Sequence, residues 1–116
     1  MPESPIFVKM HNLNLWLLPR TLKFSREYRF SLASRIQNCA FDLQRALITA
    51  AKSSTPDARA TALAQADIEL AELRAHLRLA TELKALDAHG YAHVARLTEE
   101  VGRLLGGWQK KQGIIG

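Results

Sequence analysis

The sequence is poor in cysteine, proline and aromatic residues: one Cys, four Pro, two Trp, two Tyr and four Phe in 116 positions. A lone cysteine, Cys39, cannot close a disulfide within the chain, which excludes a disulfide scaffold and leads us to expect a cytoplasmic protein. No uninterrupted apolar run approaches the ~18 residues that a membrane span requires. Residues Met1 to Pro5 lack the basic start and apolar run of a secretion signal, so the chain is expected to stay where it is made. Glycine-rich phosphate loops are missing too, and none of Ser25, Ser31, Ser34, Ser53 or Ser54 sits in a nucleophile-elbow context. Glu99 and Glu100 are adjacent, so on a helix they diverge and cannot face one substrate as a carboxylate pair. We therefore expect no catalytic site and no cofactor.

What the chain has in quantity is alanine and leucine, which favour helix over sheet. Four amphipathic segments follow, at about 6–23, 26–53, 56–85 and 88–105. In the first, Ile6, Met10, Leu13 and Leu17 line one face at spacings of four and three, and Pro19 should kink or loosen the last turn. Ser25 opens the second as an N-cap, with Glu27 favourably placed at the positive end of the helix dipole. Its seam is Ile36, Ala40, Leu43, Leu47 and Ala50, and Cys39 beside it reads as a small core residue rather than a reactive thiol.

Thr55-Pro56-Asp57 combines a hydroxyl cap, a proline at the first helical position and an acid in the first turn, and so starts the third segment. Leu63, Ala66, Leu70, Leu73, Leu77 and Ala80 form its seam. Asp87 caps the fourth, whose seam reads Tyr91, Val94, Leu97, Val101, Leu104 and Trp108, with Gly106-Gly107 as its terminator and a frayed tail over 109–116. Gly102 and Gly106 stand four apart, so another helix could approach closely there; the competing arrangement is one packing glycine and one terminator. Short connections between such helices predict a single all-α domain, an up-down antiparallel four-helix bundle. Ile68, Leu79 and Leu83 fall outside the third seam, with Ala71, Ala75 and Ala85 also outside it. A helix that is apolar around most of its circumference is covered on more than one side, which predicts a homo-oligomer.

Sixteen Lys and Arg against eleven Asp and Glu give a net charge of +5, which suits either a solvated basic surface or an acidic partner such as nucleic acid. The second segment is the most basic, with Arg26, Arg29, Arg35, Arg45 and Lys52. On the third, Arg74 and Arg78 stand one turn apart and would present adjacent guanidinium forks to phosphates or carboxylates. An intrahelical ion-pair lattice with Glu72 and Glu82 is the competing arrangement. His89 and His93, four apart, suit a metal by spacing, but no cysteine or carboxylate has the spacing to complete a shell, while His11 and His76 stand isolated. No metal is therefore expected.

The run Lys23-Phe24-Ser25-Arg26-Glu27-Tyr28-Arg29-Phe30-Ser31-Leu32, continuing as Arg35-Ile36-Gln37-Asn38, resembles the turn and second-helix start of a family of four-helix-bundle proteins. These are the accessory variability determinant (Avd) of diversity-generating retroelements and the related proteins encoded in ribosomal-RNA intervening sequences. Leu73 to Ala80 and Glu99 to Trp108 resemble the third- and fourth-helix motifs, and Trp16 to Pro19 the first; the likeness spans roughly residues 10–111. The Gly106-Gly107-Trp108 ending leans toward the retroelement branch. The resemblance implies a pentameric ring of bundles that binds a reverse transcriptase and its template RNA, and cDNA, during mutagenic retrohoming. Arg74 and Arg78 match arginines of the third-helix motif and are the first candidates for that contact; Arg26, Arg29 and Arg35 lie in the second-helix motif and follow. The alternative is a structural oligomer or protein–protein adaptor of the intervening-sequence branch, with no nucleic-acid role.

Overall fold

The computed structural model describes residues 4–113, and among them every regular element is helical. Helix α1 is Pro5–Leu22. Helix α2 spans 26–52: a first turn at Arg26–Tyr28, a π-helical stretch at Arg29–Ala33, and an α-helix at Ser34–Lys52. Helix α3 is Pro56–Glu82 and helix α4 is Ala88–Lys111. Connections of three to five residues force successive helices to run antiparallel. Each packs on the next, α2 against α3 most extensively, and α1 against α4 closes the cycle. The result is an elongated four-helix bundle of 44 × 28 × 23 Å.

The expected seams of α1, α2 and α3 all lie in the core; Met10, Leu13, Ile36, Leu43, Leu47, Leu63 and Leu73 are fully sealed. Burial at this level supplies about 1.5–3 kcal/mol per large apolar side chain, the main force holding the bundle. Cys39 is buried with them. Thr21 is the polar exception on α1: its hydroxyl donates to the Leu18 carbonyl and accepts from Gln37 Nε2, each at 2.9 Å, pinning α1 to α2. The caps work where expected at two of three starts. Thr55 Oγ1 accepts from the Ala58 amide at 3.1 Å, and Asp87 Oδ1 from the Gly90 amide at 2.6 Å. Ser25 holds the N-cap position of α2, but its side chain makes no capping hydrogen bond.

Several local expectations change. Helix α1 contains Pro19, as expected, and ends at Leu22, one residue before the expected Lys23; a proline in the last turn removes only one late backbone donor. The π-helical stretch carries one extra residue per turn, which rotates Leu32 and Ala33 into the core and leaves Phe30 84% exposed.

Helix α3 stops at Glu82 rather than 85, because Lys84 adopts a left-handed φ of 64°. The amides of Lys84 and Ala85 then return to the carbonyls of Thr81 and Ala80 at 3.0 and 2.8 Å, a Schellman closure.

Helix α4 does not end at Gly106-Gly107 but continues to Lys111, and the left-handed glycine is Gly113, with φ of 72°. Trp108 packs edge-on against Phe7 of α1, with ring centroids 6.4 Å apart, and this contact holds the last turns in helix despite the two glycines. Residues 109–111 of the expected frayed tail are thus helical, and 114–116 lie outside the described residues, as do residues 1–3 at the other end. The buried line of α4 is also rotated: Gly90, Val94, Thr98, Val101, Leu105 and Gln109, with Tyr91, Leu97, Leu104 and Trp108 half-buried beside it.

Candidate nucleic-acid and partner interface

Arg74 and Arg78 lie on the flank of α3 that faces α4, and they are not equivalent. Arg74 reaches across, its Nη2 donating to the Thr98 carbonyl at 3.2 Å. Gly102 makes room for it, since a Cβ there would stand 2.5 Å from the same nitrogen. Thr98 satisfies its own hydroxyl on the Ala95 carbonyl at 3.0 Å and is buried under the arginine. Arg78, one turn later, is exposed and makes no ion pair among the described residues. The competing lattice does not form. The one salt bridge among the described residues is Lys9–Glu100 at 2.9 Å, which holds the Glu100 carboxyl below its usual range through the Lys9 hydrogen bond and charge. Glu72 points away from Arg74, toward α2.

Arg26 opens α2 and Arg29 begins its π-helical stretch; both are exposed, next to Phe30 and to Leu22, which is 64% exposed. Because α1 ends, α2 starts, α3 ends and α4 starts at one end of the bundle, Arg26, Arg29 and Arg78 share that end. Arg35 is exposed on α2 but acts on the Cys39 side of α3, so the fold separates it from Arg74. Arg20 stacks on Trp16, its guanidinium carbon 4.8 Å from the ring centroid, a cation–π contact.

The expected histidine pair divides. His93 packs against Trp16 with centroids 5.2 Å apart, His89 is exposed, and the two gather no third metal-binding side chain among the described residues. His76, in contrast, is not isolated. It meets Cys39 and Glu72 at the α2–α3 contact, their ligand atoms all within 4.8 Å of one another. Cys39 Sγ lies 3.8 Å from Glu72 Oε2 as a weak donor. Burial, then the carboxylates of Glu72, Glu69 and Asp42, push the Cys39 thiol up to about 11, with Arg35 opposing. In sequence this cluster was invisible, because Cys39 is 33 residues from Glu72 and only the pairing of α2 with α3 unites them.

The outward face of α3 carries Ile68, Leu79 and Leu83 at 52%, 44% and 42% exposure. Ala71 and Ala75 lie exposed between them and Ala85 is half-buried. At 100° per residue Ile68 and Leu79 project in nearly one direction, opposite the core seam. None of the helices among the described residues is long and apolar enough to cross a membrane.

These features define a small, basic four-helix bundle with a solvent-facing apolar strip and, at one end, exposed arginines that form no ion pair among the described residues. A family model described as bAvd-like matches residues 6–112, and the chain belongs to that family of Avd-type proteins. No curated protein matches the chain.

Proposed function

We propose that the protein is a non-enzymatic, cytoplasmic accessory subunit of a diversity-generating retroelement. In this reading it assembles as a homopentameric ring and binds the element's reverse transcriptase with template RNA and its DNA copy. Membership of the bAvd-like family is the observation that carries the proposal. Two features support it. The net charge of +5 is repeated in every copy of a ring, giving one particle about five times the field of a single chain. Exposed Arg26, Arg29 and Arg78 supply guanidinium forks at one end of the bundle, suited to phosphate.

Charge reversal tests the assignment. Arg74→Glu combined with Arg78→Glu should weaken binding of the reverse transcriptase and RNA while helicity and oligomer mass stay constant. Unaltered binding by that double variant removes these residues from the site. RNA affinity of the wild type should fall steeply with salt, because phosphate contacts release condensed counterions. No RNA binding at low salt would replace this reading with the structural-adaptor one.

A further inference from the structure

The geometry points to a binding site for one divalent transition-metal ion of the zinc class, formed by Cys39 of α2 with Glu72 and His76 of α3. Three observations meet there. The three ligand atoms lie within 4.8 Å of one another. A tetrahedral ion with bonds of about 2.0–2.3 Å spaces its ligands about 3.3–3.8 Å apart. The Cys39 Sγ to Glu72 Oε2 separation is already 3.8 Å, so small side-chain adjustments complete the shell. Glu72 and His76 are one helical turn apart on the same flank, and the α2–α3 packing that fixes Cys39 opposite them is the most extensive in the bundle.

The second observation is independent of spacing. His76 Nε2 is sealed from solvent without a hydrogen-bond partner, the one such side-chain atom among the described residues. The large majority of buried side-chain polar atoms are paired, so an orphaned imidazole nitrogen beside a buried thiol suits a ligand. The third is charge. The carboxylates of Glu69 and Asp42 also act on this spot, and together with Glu72 they outweigh Arg35, which favours a cation.

A sulfur, nitrogen and oxygen donor set selects zinc or cobalt over magnesium or calcium. Binding converts the Cys39 thiol to thiolate and releases its proton to solvent. Three protein ligands leave the fourth position to water, and the exposed Glu72 provides the way in. The ion would tie α2 to α3, whatever the bundle binds elsewhere.

The test is a titration of the reduced, tag-free full chain with Co²⁺, followed by Zn²⁺. One equivalent of Co²⁺ should give the near-ultraviolet thiolate-to-cobalt charge-transfer band and intense visible bands of a tetrahedral ion. Zn²⁺ should bleach both and raise the melting temperature. Cys39→Ser should abolish the charge-transfer band. Glu72→Gln and His76→Gln should each weaken Co²⁺ binding at least about tenfold, as loss of even an outer-shell partner does. Glu72 is exposed, so Glu72→Gln keeps the fold, with circular dichroism as the check. The site is refuted if the wild type shows no thiolate band, or if Glu72→Gln and His76→Gln leave that band and its affinity unchanged.

Discussion

Arg74 lies across Gly102: its Nη2 stands only 2.5 Å from where any other residue at 102 would put a Cβ, and from there it donates to the Thr98 carbonyl. One of the two arginines matched to the third-helix motif is therefore partly a strut between α3 and α4, while Arg78 is left to solvent. A glycine inside a helix costs stability relative to alanine, so Gly102 is best understood as the residue that lets this strut lie flat.

Gly102→Ala should push the guanidinium off Thr98, and because the displaced group is the far end of a flexible side chain, the displacement is cheap. Leu70 Cδ2, at 3.3 Å from the new carbon, has to give slightly. The gain in helix propensity, about 0.5–1 kcal/mol, offsets the lost hydrogen bond of about 0.5–1.5 kcal/mol. Urea denaturation should show a stability change within about 1 kcal/mol of zero. A loss of several kcal/mol would mean that the strut organises the helix pair.

Lys84 is the one non-glycine residue with positive φ among the described residues, and its left-handed turn closes α3 in a Schellman motif. A Cβ in that conformation costs about 1–2 kcal/mol. Lys84→Gly should raise stability by about 1 kcal/mol, less than the full strain because glycine also enlarges the entropy of the unfolded chain. An unchanged or lowered urea midpoint would show that the lysine side chain compensates through contacts of its own.

The core was largely legible in the sequence because α1, α2 and α3 bury residues spaced three and four apart, a pattern set by helix geometry alone. For α4 the same rule chose Leu97 and Leu104 over Thr98 and Leu105. The difference lies in the neighbours: Gly90 is buried against Leu86 and Trp16, and Thr98 beneath Arg74. The buried line therefore runs through these two small residues and on to Leu105 and Gln109, while Leu97 and Leu104 stand half-buried on the flanks. The end of α4 was misplaced because Gly106 and Gly107 carry no sign of the Phe7–Trp108 contact that extends the helix. The π-helical stretch has no periodicity signature. Of the candidate site, the exposure of Arg26, Arg29, Arg35 and Arg78 agrees with their polarity. The tie of Arg74 to α4 and the meeting of Cys39, Glu72 and His76 depend on which helices pair, which no local spacing records.

Cys39 gives a pH test on the metal-free chain, with a chelator present. Its thiol titrates at about 11 in the fold against an ordinary value of 9.0. Near pH 8 its thiolate population is well below that of an unfolded thiol, and the side chain is buried. Alkylation by iodoacetamide should therefore be slowed about tenfold or more, the greater intrinsic nucleophilicity of a high-pKa thiolate offsetting part of the population effect. For stability, a raised native pKa means that both states hold the proton below pH 9, where the thiol contributes no pH dependence. Between 9 and 11 the unfolded chain has released its proton and the native one has not. Stability should therefore fall as pH rises through that window, and Cys39→Ala should flatten the decline. Alkylation at the rate of the unfolded chain would show the thiol to be open to solvent.

The outward strip of α3 tests the proposed assembly. Ile68 and Leu79 lie opposite the core seam and are about half exposed, so they contribute little to the isolated bundle. Contiguous apolar surface of this kind is characteristic of interaction sites. Ile68→Lys combined with Leu79→Lys should leave the helical circular dichroism intact and change the urea midpoint little, because neither side chain leaves the core. If α3 faces another copy, the double variant buries two charges at that contact and should sediment as a single chain where the wild type sediments as an oligomer. An oligomer of unchanged mass would move the contact elsewhere, for which Phe30 and Leu22 at the basic end, 84% and 64% exposed, are the next residues to substitute.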